Sequence, residues 1–220
     1  MPGRSGPPES ETSVVDLGPA GSGAAHDSGS LCTLVTTLFA TTRAVAVHRV
    51  APSTYVAYLP GPRGRSGASL RAVGAEPLTY ADRVVRALET AVLAHGDAPA
   101  LALLVAYGEG GAAALDVAAM AESEVFDVDR IVTVGAPAAL VPRVPTRARM
   151  LSLEERTDLG ALLGSLVNAD SGNRLTVVFD GTGTTTPAER YVAGARLADT
   201  SDHPEVIRAI ADLRALGYVD

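Results

Sequence analysis

Leu101-Ala102-Leu103-Leu104-Val105-Ala106-Tyr107, followed at once by Gly108-Glu109-Gly110-Gly111 and then by Ala112–Met120, decides the fold. The first seven residues are an unbroken apolar run. A central parallel strand needs such a run, because helices cover both of its faces. The glycines then make a sharp turn, and the Ala-rich segment reads as a helix.

The same alternation extends outward from this unit. Upstream, Leu78–His95 has helical periodicity, with Val84, Val85, Leu88, Ala91, Val92 and Leu93 as its apolar side and Gly96 as its stop. Before it, Ala44–Val50 and Thr54–Leu59 are β-rich runs around Ala51-Pro52-Ser53, a hairpin signature. Leu31–Thr42 is apolar and Thr-rich, compatible with a short helix. Downstream, Arg130–Val134, Arg149–Leu153 and Arg174–Phe179 read as strands, and Pro187–Ala198 and Pro204–Leu216 as helices. Strands alternating with helices predict an α/β domain, a mainly parallel sheet with helices on both faces. The chain divides into a disordered arm, Met1–Ser30, rich in Pro, Gly and Ser, and one domain, Leu31–Asp220.

Composition narrows the function classes. The 220 residues suit one sizeable core, built mainly from Ala, Val and Leu because aromatics make up only 4%. All 18 basic residues are Arg, scattered and never in a run, against 25 acidic residues, for a net charge of -7. An acidic chain without a basic stripe argues against nucleic acid and anionic membranes as partners. Cys32 is the single cysteine, so neither an internal disulfide nor a Cys-based metal site is expected. No apolar stretch reaches membrane-spanning length. A cytoplasmic address is the default expectation, with neither cofactor nor metal.

Three readings compete for the turn. Gly108-Glu109-Gly110-Gly111-Ala112-Ala113 matches the dinucleotide fingerprint G-x-G-x-x-A. That reading wants an acid closing the next strand, whereas Asp129 stands before Arg130–Val134, which ends in Gly135-Ala136-Pro137. The second reading is a nucleophile elbow, with small residues two positions either side of a strained Ser. Ala106-Tyr107-Gly108-Glu109-Gly110 keeps the small flanks and puts Gly108 where the Ser belongs. The third is a Gly-rich turn of no special history.

Beyond the turn, Phe126–Asp158 carries a strand ending in Gly135-Ala136-Pro137, a Pro-rich loop, and Met150-Leu151-Ser152-Leu153-Glu154-Glu155-Arg156-Thr157-Asp158. On these residues the chain, from about Thr54 to Tyr191, resembles α/β-hydrolase-like proteins of GC-rich, actinobacterial-type bacteria. The resemblance implies an α/β-hydrolase-like fold, a triad acid at Asp158, and a triad histidine a few residues before Tyr191. No His lies in Thr184–Arg190, and Thr186 best matches the base position. The implied protein has lost its nucleophile and its base. It is expected to be a catalytically degenerate, binding or scaffolding module for a small molecule or a protein. The alternative is an active ester or amide hydrolase with an unconventional nucleophile, Glu109 or a loop Ser. The Rossmann-type cofactor binder is a third, weaker reading.

Each singled-out residue also has a structural reading. Glu109 suits the N-terminus of the following helix, and Asp158 suits the cap of a helix starting near Leu159. His203, in Ser201-Asp202-His203-Pro204, stands at a helix entrance. His48 and His95 are isolated, and Asp180-Gly181-Thr182 lacks the second Asp of a phosphatase loop. Cys32 reads as packed. An elbow further requires positive φ at Gly108, Asp158 at the same sheet edge, and the loops Pro60–Gly64 and Thr184–Pro187 rimming one crevice.

Overall fold

A computed structural model describes residues 13–19, 30–61, 78–120, 123–136, 144–157, 173–181 and 186–220. Its seven strands are β1 (Ser13–Pro19), β2 (Ala46–Ala51), β3 (Thr54–Leu59), β4 (Ala100–Tyr107), β5 (Phe126–Val134), β6 (Arg149–Glu155) and β7 (Arg174–Asp180). Its helices are α1 (Leu31–Ala40), α2 (Tyr80–His95), α3 (Gly110–Met120), α4 (Pro187–Asp199) and α5 (Pro204–Ala215). The strands form one sheet in the order β1-β7-β6-β5-β4-β3-β2. Among the described residues only the β2–β3 hairpin is antiparallel.

β4 divides its side chains between two cores, as a strand covered on both faces must. Leu103 and Val105 join Val56, Val132 and Val134 beneath α1, α4 and α5. Ala102, Leu104 and Ala106 join Tyr55, Ala57 and Ile131 beneath α2 and α3. The α/β fold expected of the sequence is therefore the fold found, a mainly parallel sheet with helices on both faces.

Helix α2 shows how local sequence sets an element. Thr79 and Asp82 form a reciprocal capping box, and Gly96 ends the helix at φ +67. Val84, Leu88 and Val92, four residues apart, are its buried stripe. Leu93, expected on that stripe, is 60% exposed because one further residue turns the side chain about 100° away from the sheet.

Two sequence expectations need correction. Residues 13–19 of the supposed disordered arm form β1, parallel to β7, with Val15 buried and Asp16 paired to Arg156. That pairing is wholly non-local, and a short Val-Val-Asp-Leu run among Pro and Gly gives little warning of it. Next, β5 starts at Phe126, so Asp129 lies within a strand rather than before it. Ala102 pairs with Val128 and Leu103 with Arg130, which leaves Asp129 as the extra residue of a bulge. Its carboxylate accepts the Tyr218 hydroxyl.

The hairpin is fastened to the rest by Asp97, just past the α2 stop. Its carboxylate accepts Nε and Nη2 of Arg49 at 2.6 and 3.0 Å and the Tyr55 hydroxyl at 2.6 Å. Arg49, then Tyr55, hold its pKa well below the usual carboxylate value. A depressed folded pKa adds stability that is present above the unfolded value, near 3.8, and is lost as pH falls through the folded one. Asp97→Asn should therefore lower Tm at pH 7 and flatten the decline of Tm between about pH 5 and pH 3. Thermal melts across that range check it, and parallel curves for the two proteins would refute the assignment.

Candidate functional site

The carboxyl edge of the sheet is where open α/β folds place ligands, and the Gly-rich turn stands at its centre. β4 ends at Tyr107, Gly108 takes φ +54, and α3 begins at Gly110. The Gly108 N–H donates to the Val134 carbonyl at 3.1 Å, and its own carbonyl accepts the Gly111 N–H at 3.0 Å. Strand, turn at positive φ and helix give this stretch the backbone shape that an elbow requires. Gly108, at the apex of this strand–turn–helix, carries no side chain.

The three glycines have different physical causes. A Cβ built on Gly108 meets nothing within 4 Å, so only its backbone angle favours glycine there. A Cβ on Gly110 would lie 2.5 Å from the Leu59 carbonyl oxygen and 3.2 Å from the Gly61 nitrogen. A Cβ on Gly111 would lie 2.7 Å from the Ala136 Cβ. The end of β3 thus crosses directly over the start of α3, and the end of β5 presses on its next residue. This disposes of the dinucleotide reading. Its second glycine lets a pyrophosphate approach, and at Gly110 that approach is taken by the chain's own backbone.

Gly61, at φ +86, lies beside the Tyr107 carbonyl and the Gly110 nitrogen, so the loop after β3 does reach the elbow. In Pro60-Gly61-Pro62 only Gly61 owns an N–H, which leaves it and Glu109 as the candidate oxyanion donors. Glu109 is exposed immediately before α3. Thr186, the base position, is the N-cap of α4. Its Oγ1 accepts the Glu189 N–H at 3.2 Å, and its own N–H donates to Glu189 Oε2 at 3.0 Å. Asp158, Pro62–Gly64 and Thr184-Thr185 lie outside the described residues.

The three described histidines are accounted for locally, and His26 lies outside the described residues. His203 is the N-cap of α5, with Nδ1 facing the Glu205 N–H at 3.4 Å. Glu205 lines a cavity at the amino edge of the sheet, away from Gly108. His95 sits in the last turn of α2 with Nδ1 at 2.8 Å from the Ala91 carbonyl, and His48 stacks edge-on to Tyr58 at 5.1 Å. Cys32 is half-buried on α1; its N–H and that of Leu31 donate to Asp199 at 2.9 and 3.0 Å. Asp199 thereby caps α1 from the end of α4, and burial raises its pKa despite those two bonds. Among the described residues no group of three or more His, Cys, Asp or Glu could hold a metal ion. No helix among them is long and apolar enough to cross a membrane.

Three features, two at this edge and one across the sheet, escaped the sequence reading. Tyr191, 3% exposed, lies across Gly135 so closely that any Cβ there would collide with its phenol. Its ring packs against Phe179 at 5.6 Å and Tyr107 at 6.0 Å, and Phe39 closes on Tyr107 at 4.9 Å. Glu155, 4% exposed at the end of β6, accepts the Thr157 hydroxyl at 2.6 Å, three residues before Asp158. Finally, Thr133, Ser152, Glu154 and Arg174 form a buried polar ladder across β5, β6 and β7. Ser152 Oγ lies 2.7 Å from Thr133 Oγ1 and donates to Glu154 at 2.9 Å. Both Glu154 and Glu155 are buried, and nothing in their sequence spacing announced it.

No protein-family model matches the chain, and no curated protein does. A solved structure described as a "putative hydrolase" from Agrobacterium vitis S4 is similar at a TM-score of 0.41 and 14% identity. The match covers 94% of this chain and 88% of that one. A likeness of that size decides nothing about activity, and the fold is read from this chain's own strand order and turns.

The glycine geometry makes a graded prediction. Gly108→Ala should cost about 1–3 kcal/mol, from backbone strain alone. Gly110→Ala should cost about 3 kcal/mol or more, because backbone must move to admit the Cβ. Urea unfolding of both variants checks the order; equal losses would show that β3 does not bear on α3.

Proposed function

We propose that this chain is a hydrolase-like domain without serine-hydrolase chemistry, serving as a binding or scaffolding module. The observation that carries the reading is Gly108, a bare residue at φ +54 where an elbow presents its nucleophile. Without a hydroxyl no acyl intermediate forms. The base position supports the same reading, since Thr186 and Glu189 are occupied in capping α4. Tyr191, packed over Gly135 with Phe179, fills space beside the elbow with aromatic carbon. Two backbone N–H groups, of Glu109 and Gly61, are what remains of an oxyanion site. The ligand of the module is a small molecule or a protein segment seated at the carboxyl edge.

Hydrolysis of short p-nitrophenyl esters tests the reading. The wild-type chain should not exceed a denatured control, and Gly108→Ser alone should remain within about tenfold of it, because the residue at the base position is Thr186, which cannot take its proton. The double variant Gly108→Ser, Thr186→His should gain weak esterase activity, at a loss of about 1 kcal/mol for the missing cap. Saturable turnover by the wild-type chain would replace this reading with a hydrolase using an unconventional nucleophile such as Glu109.

A further inference from the structure

The arginines that are scattered in sequence converge in space. A cavity of about 500 Å³ opens at the amino edge of the sheet, between the starts of β6 and β7 and helix α5. Arg130, Arg147, Arg149, Arg174 and Arg208 line it. Its volume lies in the range of small-molecule sites. Its remaining wall includes Ile131, Met150 and Leu213, so it offers an apolar surface beside the guanidinium groups.

The charges there nearly balance, but the donors do not. Asp212 lines the cavity and takes both Arg149, at 3.0 Å, and Arg130, at 3.7 Å. Arg130 also meets Asp129 at 3.5 Å, and Arg147 meets Asp127 at 3.3 Å. Glu205 lines the rim, and Glu154 lies near Arg174. Against these, the Nε groups of Arg130 and Arg174 are buried without a hydrogen-bond acceptor among the described residues. Arg174 is only 4% exposed, and its one hydrogen bond among the described residues, to Ser152 Oγ, is long at 3.4 Å. Arg208 is exposed on α5 with no hydrogen bond or ion pair among the described residues. A buried guanidinium N–H without an acceptor is costly, and native structures rarely keep one without a reason. Burial also pushes the Arg174 guanidinium below its usual pKa, which the charge of Glu154 opposes.

We propose that this amino-edge cavity binds a small organic anion, whose carboxylate or phosphate oxygens accept from Arg174, Arg130 and Arg208 and whose apolar part rests on Met150 and Leu213. The oxyanion geometry matches the guanidinium fork in either case. The site lies on the opposite edge of the sheet from Gly108 and stands independently of the reading given to that elbow.

The test uses the full chain with octanoate and with inorganic phosphate as probes, and with octanol as the uncharged control. One of the two anions should raise Tm saturably and shift the Arg130 and Arg174 Nε–H resonances, and octanol should do neither. The tighter anion names the headgroup, and a preference for octanoate over acetate establishes the apolar wall. Arg208→Ala leaves the core untouched and should weaken binding about tenfold, the loss expected of one charge-assisted hydrogen bond. Arg174→Met, which replaces a buried charge by an apolar chain of similar length, should abolish binding while the protein stays folded. If it does not fold, Arg208→Ala decides. The proposal is overturned if neither anion moves those resonances, or if binding is unchanged in Arg208→Ala. Ester hydrolysis by Gly108 variants is unaffected by either outcome.

Discussion

The contact on which the arrangement depends is backbone on backbone, the Leu59 carbonyl against the Cα of Gly110. A side-chain carbon there would sit 2.5 Å from that oxygen. With Gly110 bare, the end of β3 lies directly on the first turn of α3, and Gly61 reaches the Tyr107 carbonyl. Gly111 brings α3 equally close to Ala136 at the end of β5. Three adjacent strands and one helix are thereby gathered within a few residues at the carboxyl edge. Burial of β4 on both faces then locks them in place, since each apolar side chain sunk in the two cores contributes about 1.5–3 kcal/mol.

This close packing explains why the turn is rich in glycine without a ligand being invoked. Gly110 and Gly111 answer to steric pressure from the protein itself, and Gly108 answers to its φ of +54. A nucleophile with a Cβ would be strained at Gly108, although the space around it is open. Glycine there removes that strain.

Much of the fold was legible because the sequence states it locally. The apolar run Leu101–Tyr107, the hairpin around Pro52-Ser53 and the stop at Gly96 each specify one element through short-range chemistry. Strand β1 was not legible, because Ser13–Pro19 becomes a strand only when β7 is beside it. The bulge at Asp129 and the phenol of Tyr191 over Gly135 are likewise tertiary facts. At the site, a sharp strand-to-helix turn could be read from Ala106–Gly110, but the burial of Glu155 and Arg174 could not. The guanidinium cluster is the sharpest case. Arg130, Arg149 and Arg174 look dispersed in sequence, yet parallel register sets Arg130 beside Arg149 and leaves Arg174 at the neighbouring strand's start.

The central claim is that an elbow exists and that its nucleophile does not. Intact-mass spectrometry of the full chain after incubation with a fluorophosphonate tests it most directly, since the reagent traps any activated serine regardless of substrate preference. The account predicts an unchanged mass, with no adduct on any Ser. A stoichiometric adduct that is lost on denaturation before labelling would contradict it and place an active serine elsewhere on the chain.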